Sequence, residues 1–213
     1  MKSYWSIPGP SKGHHEKCHV YAKYDGSNLR LEWSKKRGWY KFGTRKMMID
    51  QSHPIYGNAI DLFLDKYEKD LDHIFKSDKL FYNVRNVVVF AEWFGSKSFA
   101  GQHFPDDEKD IVIFDVNLHQ KGFLDPKTFN TVFDGLKVAE EIQECNFGPA
   151  LIENVKKENI SIESMFKIKP EIPEGVICKG GKNHKLWMCK IKTERYKNKL
   201  KDFYEEDWEK YWE

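Results

Sequence analysis

The chain has 213 residues, 35 Lys+Arg against 33 Asp+Glu, 40% hydrophobic residues and a mean hydropathy of -0.71, which fits one water-exposed domain, or one domain with an appendage. No run approaches the roughly 18 apolar residues of a membrane span, and Met1-Lys2-Ser3-Tyr4-Trp5 lacks the apolar core of a secretory signal, so a cytoplasmic location with no membrane partner is expected. Seven Trp, 10 Tyr and 15 Phe supply a packed core and exclude disorder, while a net charge of +2 requires any polyanion affinity to come from Lys and Arg gathered on one face. Cys18, Cys145, Cys178 and Cys189 are far apart, with no CxxC pair and no His at zinc spacing, and read as small, reduced core residues.

In chain order, His19–Lys23 and Leu29–Trp33 are rich in aromatic and β-branched or long apolar residues and read as strands, joined by Asp25-Gly26-Ser27-Asn28 as a tight turn or hairpin connection. Lys35-Lys36-Arg37 reads as a solvated hairpin tip before a strand at Trp39–Phe42. Ile60, Phe63, Leu64, Tyr67 and Leu71 recur at helical spacing, and strands follow at Val87–Ala91 and Asp110–Val116. Asp125-Pro126 opens a second helix over Phe129 to Leu136. Val176–Lys179 and Leu186–Ile191 are strands linked by a turn at Gly180-Gly181-Lys182, and Tyr196, Leu200, Phe203, Tyr204, Trp208 and Tyr211 mark a final helix. Strands on both sides of helices without βαβ regularity predict an α+β fold with mostly antiparallel sheets flanked by helices.

The chemistry-bearing residues lie at strand ends. Lys23 precedes Asp25-Gly26, where glycine lets backbone and ligand approach closely, and a deprotonated lysine amine there is a nucleophile. Glu92 follows the apolar run Val87–Ala91, where a solvated acid is poorly placed; Phe114-Asp115 pairs an aromatic face with a second acid. Glu174, Lys179, Lys190 and Lys192 add an acid and three cations, the last two on one face of an alternating strand. Together they offer cations for phosphates, acids for ribose hydroxyls or Mg2+, and an aromatic for a base. His14-His15, His53, His103 and His119 have no partner at ligand spacing and read as surface or satisfied polar groups.

This ordered set resembles the motifs of the covalent nucleotidyltransferase superfamily, which comprises ATP-dependent DNA ligases, RNA ligases and mRNA capping enzymes, over about Lys23 to Lys192. The resemblance implies a nucleotidyltransferase (ATP-grasp-like) fold over residues 1–192. It implies that Lys23 becomes adenylylated from ATP and that Arg45 lies near the reacting phosphates. Glu92 would contact the ribose and Phe114 stack on the base, with Asp115 its acidic neighbour. Glu174 and Lys179 match the acid and lysine of the fourth motif, and Lys190 and Lys192 the lysines at the α-phosphate. Asp25, Asp115 and Glu174 are the acids expected to serve Mg2+ or Mn2+.

Asn28, five residues after Lys23, is similar to the RNA ligase 2 type, where DNA ligases and capping enzymes place arginine, and is counted with the nucleotide contacts; Asp25 departs from the histidine common in that branch. The implied activity is an ATP-dependent RNA ligase joining 5′-phosphate and 3′-hydroxyl ends of RNA or nicked duplex through lysyl-AMP and an adenylylated 5′ end. The alternatives are a minimal DNA ligase, a nucleotide- or nucleic-acid-binding module that has lost sealing and, third, a capping guanylyltransferase. Residues 193–213 are expected to form one amphipathic helix, too short for an oligonucleotide-binding barrel or a full C-terminal domain. End recognition is then expected to rest on the catalytic face or on a partner protein.

Overall fold

The computed structural model describes residues 1–96, 108–160, 162, 172–182 and 185–209. It divides into two compact units that interleave along the chain. One comprises Met1–Tyr4, Ser27–Trp93 and Asp110–Val138; the other comprises Trp5–Gly26, Phe94–Lys109 and Ala139–Glu213. No described helix is long and apolar enough to cross a membrane.

The first unit is built on a six-stranded sheet in the order β4-β3-β2-β5-β6-β7, formed by β2 (Gly26–Ser34), β3 (Gly38–Thr44), β4 (Met48–Ile49), β5 (Asn86–Phe94), β6 (Asp110–Leu118) and β7 (Gly122–Phe123). Helix α1 (Gly57–Ser77) buries Ile60, Phe63, Tyr67, Leu71 and Phe75, a stripe at three- and four-residue spacing. The stripe joins Leu29, Leu31, Trp33, Val87, Val89 and Ala91 in one apolar core. Fully burying each large side chain contributes about 1.5–3 kcal/mol. Two polar tips are satisfied at its border: the Tyr67 hydroxyl donates to Lys137 O at 2.6 Å, and Trp33 Nε1 donates to Asp72. Helix α2 (Pro126–Val132) starts as Asp125-Pro126 predicts, with Asp125 accepting from Thr128 N, but it stops at Val132, short of the expected Leu136.

The second unit holds a four-stranded sheet in the order β10-β9-β1-β8, formed by β1 (Lys17–Lys23), β8 (Glu141–Asn146), β9 (Gly175–Gly180) and β10 (Trp187–Lys192). β1–β8, β1–β9 and β9–β10 are all antiparallel. One face packs Cys18, Val20, Val176, Cys178, Trp187, Cys189 and Ile191 against α3 (Pro149–Lys156), which contributes Leu151 and Val155. The alternation of a strand therefore turns His19, Tyr21 and Lys23, Ile177 and Lys179, and Met188, Lys190 and Lys192 to the other face. Helix α4 (Glu194–Tyr204) is capped by Thr193, whose Oγ1 accepts from Tyr196 N at 3.1 Å and donates to Pro173 O at 2.9 Å. The final helix is thus shorter than expected, and Tyr211 lies outside the described residues.

The expected hairpin at Asp25–Asn28 is not one. Strand β2 already begins at Gly26, only Tyr24-Asp25 links the strands, and β1 and β2 enter different sheets. Of a tight turn or a hairpin connection, the hairpin is the one that does not form, because each flank pairs with other strands. The turns at Lys35–Arg37 and at Gly181 do join antiparallel neighbours.

Gly175 opens β9 at φ 147°, and a Cβ there would lie 2.0 Å from Ile191 O, a backbone atom that cannot swing away. Gly175→Ala is expected to cost about 3 kcal/mol in urea denaturation, against about 1 kcal/mol for Gly38→Ala, where φ is also positive but the space is open. Equal costs would show that φ alone, and not the close strand approach, sets the requirement.

Candidate active site

The second unit gathers the nucleophile candidate with two of its expected partners. Lys23 ends β1, Lys192 ends β10, and both are register partners of Gly175 between them. Because Gly175 carries no side chain, this row of the sheet has a gap between two lysines. The preceding residue, Glu174, fills it: Oε2 accepts from Lys23 Nζ at 2.7 Å, and Oε1 lies 3.2 Å from Lys192 Nζ. Thr193 N donates to Glu174 O at 3.1 Å, fixing the backbone that delivers the carboxylate.

The electrostatics follow from burial and proximity. Glu174 and Lys192 are each 5% exposed at the side chain and Lys23 22%, so the lysine amine is the most open of the three. Burial opposes the charge on Glu174, but Lys23 and Lys192 together hold its carboxyl below the usual carboxylate range. Burial lowers the Lys192 ammonium from its ordinary value, with Lys23 adding repulsion and Glu174 opposing it. Tyr196, which sequence reading assigned only to a helix face, donates its hydroxyl to Asp25 Oδ1 at 3.2 Å. Burial, then Glu174 and Asp25, push that hydroxyl well above the tyrosine range, so it stays a donor. Lys179 is buried over the Tyr21 ring, 5.1 Å from its centroid, and Lys190 is buried two residues along β10 from Lys192. On this face Lys23, Lys179, Lys190 and Lys192 lie on β1, β9 and β10 with Glu174 at their end, and His19 with Glu141 and Glu144 lies toward β8.

The first unit holds the other candidates: Asn28 on β2, Arg45 exposed after β3, Glu92 on β5, and Phe114 and Asp115 on β6. Along β6 the core-facing set runs Ile111, Ile113 and then Val116, Leu118. Phe114 and Asp115, which lie between Ile113 and Val116, are not part of that core. Tyr4 meets both: its ring lies 5.1 Å from Phe114, edge to face, and its hydroxyl donates to Asp115 Oδ2 at 2.8 Å. Asp115 Oδ1 accepts from Val116 N at 3.2 Å, so both carboxylate oxygens have protein donors. Burial first, then Asp115, raise the Tyr4 hydroxyl far above its ordinary value; Glu92 adds to this and Arg45 opposes it. Asn28 Oδ1 is buried with no hydrogen-bond partner among the described residues, an acceptor available to a ligand donor.

Taken separately, the second unit offers cations along one sheet face, suited to phosphates, and the first offers an unsatisfied amide oxygen and an aromatic next to an acid. For a divalent ion, Asp25 and Glu174 supply carboxylates without a ready-made cage. Among the described residues only His19, Glu141 and Glu144 bring three ligand atoms within 4.8 Å of one another. That group, absent from the histidine reading, is already engaged, with His19 Nδ1 at 2.9 Å from Glu141 and Lys17 Nζ at 3.1 Å from Glu144. Dispersed carboxylates suit Mg2+ or Mn2+, which keep waters and bind through one or two acids plus substrate phosphates.

Known proteins give the same direction. The family model described as RNA ligase matches residues 16–199. Solved structures of a Naegleria gruberi RNA ligase are similar in fold: one with PPi at TM-score 0.69 and 14% identity, one of an apo mutant at 0.69 and 13%, and one of a mutant with ATP and Mn at 0.68 and 15%. They cover 95%, 94% and 94% of this chain, which spans 58%, 58% and 59% of theirs. No curated protein matches the chain in sequence.

Glu174→Gln leaves two ammonium groups facing a neutral amide, one of them deeply buried, and is expected to cost about 3 kcal/mol at neutral pH. Since the folded carboxyl lies below its unfolded value, the contribution is full above the ordinary carboxylate range and is lost as pH falls through the depressed value. Urea denaturation over a pH series should show the gap between wild type and Glu174→Gln closing in acid. A gap that persists unchanged would remove the ion pairs as its source.

Proposed function

Because the chain belongs to the RNA ligase family, we propose that it is an ATP-dependent RNA ligase that adenylylates itself on Lys23 and passes AMP to a 5′-phosphate end. The observation that carries the reading is the single carboxylate of Glu174 shared between Lys23 and Lys192 on a lysine-lined sheet face. In the first step the Lys23 amine, having given up its proton, attacks the α-phosphorus of ATP. A P–N bond forms, the P–O bond to pyrophosphate breaks, and the electron pair leaves with pyrophosphate. Glu174 Oε2, 2.7 Å from Nζ, is the group within reach of that proton and holds the amine in line beforehand.

Lys190 and Lys192 are the cations assigned to the α-phosphate oxygens, where charge builds in the transition state. Arg45, exposed in the turn after β3, is assigned to the departing phosphates. Glu92 is assigned to the ribose, Phe114 to stacking on adenine, and Asn28 Oδ1 and Lys179 to further nucleotide contacts. A divalent ion, Mg2+ or Mn2+, would neutralise phosphate charge when bound, with Asp25, Asp115 and Glu174 as its carboxylates. Relatives solved with ATP or AMP and Mn support ATP and a divalent ion as the bound groups. AMP then moves to the 5′-phosphate of a nucleic-acid end, and a 3′-hydroxyl displaces it to seal the strand. Asn28 five residues after Lys23 supports RNA over DNA as the substrate.

Incubation with radiolabelled ATP and Mg2+ should label the wild-type chain covalently and leave Lys23→Ala unlabelled, while Lys192→Ala should slow labelling at least about 100-fold. A labelled Lys23→Ala would sink the assignment. Offered nicked duplexes that differ only at the 3′-hydroxyl strand, the enzyme should seal RNA faster than DNA; the reverse preference would make it a DNA ligase. Labelling without sealing of either would favour a module that has lost sealing.

A further inference from the structure

We propose that Cys18 and Cys145 are a modification site: a pair of thiols on neighbouring strands that closes to a reversible disulfide under a peroxide-class oxidant. The four cysteines, scattered in sequence, meet in the fold. Cys145 on β8, Cys18 on β1, Cys178 on β9 and Cys189 on β10 place one thiol on each strand of the four-stranded sheet, toward its α3-covered core. Cys18 and Cys145 are register partners, as are Cys178 and Cys189; Cys178 faces Val20, which sets it diagonal to Cys18. The four thiols thus follow one another across the sheet in the order Cys145, Cys18, Cys178, Cys189. Opposed residues of an antiparallel pair have Cα atoms about 4.5–5.5 Å apart, inside the 4.4–6.8 Å span that a disulfide accepts. Closure therefore needs side-chain rotation and no strand slip.

Access selects the pair. Cys18, Cys178 and Cys189 are fully buried, and Cys145, on the last strand in the sheet order, is only part-buried, with Gln143 Nε2 donating to its sulfur at 3.7 Å. Hydrogen bonding from Cys178, against burial and with help from Cys145, holds the Cys18 thiol below its ordinary value, whereas burial pushes Cys145 up to about 11. The accessible sulfur therefore meets the oxidant first, and the buried sulfur beside it is placed to close the bond. In the first step peroxide oxidises Cys145 to a sulfenic acid: the O–O bond breaks, an S–O bond forms, and one water leaves. In the second step the Cys18 sulfur attacks Cys145, the S–S bond forms, the S–O bond breaks, and the hydroxyl leaves with the Cys18 proton as a second water. Two thiols lose two electrons and one peroxide becomes two waters. A partner already placed opposite in the register leaves little sulfenic acid to accumulate.

The test is hydrogen peroxide treatment of the folded wild-type chain, followed by alkylation in denaturant and peptide mass mapping. Two of the four thiols should become unavailable, a Cys18–Cys145 cross-linked peptide should appear two hydrogens lighter than its parts, and dithiothreitol should restore all four thiols. Cys145→Ser should leave Cys18, Cys178 and Cys189 all alkylatable, and Cys189→Ser should keep the cross-link. Conversion of Cys145 to sulfinic acid while Cys18 stays alkylatable would overturn the proposal. A Cys178–Cys189 cross-link as the main product, or a cross-link surviving in Cys145→Ser, would also overturn it. The wild-type map decides the matter even where a variant folds poorly.

Discussion

The carboxylate of Glu174, buried between the ammonium groups of Lys23 and Lys192, is the interaction on which the second unit's chemistry depends. Two cations at the end of one sheet repel each other and resist burial, and a single acid offsets both. The sheet makes room for that acid by leaving a residue without a side chain in the row between them, and the Thr193 cap pins the strand that brings it. Removing one partner of a buried ion pair is far more damaging than replacing the whole group, because the charge left behind has no water to return to. The same arrangement serves catalysis: a lysine anchored by a carboxylate is held in one position, and the carboxylate is available for its proton.

The first unit solves a related problem with a neutral donor. Asp115 is 1% exposed, and the Tyr4 hydroxyl and Val116 N both donate to it. Tyr4 reaches across the chain's first residues to do this, and Ser3 is likewise bonded to Arg30, so the N-terminal segment is a working part of the unit. The ring that supplies the hydroxyl also supports Phe114, tying a polar requirement and an aromatic platform to one residue.

Much of this was legible in the sequence because apolar alternation and helical spacing are local signals. Val87–Ala91, Asp110–Val116 and the α1 stripe are strong patterns, and the charged residues at strand ends stood out against them. What escaped were relations that only pairing creates. Strand β8, Glu141–Asn146, carries only Ile142 and Cys145 among polar residues and is nowhere fully buried, so it shows little periodicity, and without it Cys145 has no visible neighbour. The Asp-Gly turn signalled a bend but not that its two strands enter different sheets. Tyr196 looked like any helix aromatic until its hydroxyl met Asp25, and Thr193 gave no sign beyond its capping preference.

The place of Asp115 on β6 has a consequence for how the strand tolerates its acid. Among Ile60, Phe63 and their neighbours a carboxylate finds no donor. Ile113 and Val116 join that core while Phe114 and Asp115 between them do not, and the acid takes its donors from the Tyr4 hydroxyl and Val116 N. A single strand thus serves two solvents, an apolar one for the residues that hold it and a polar one for the pair that it presents.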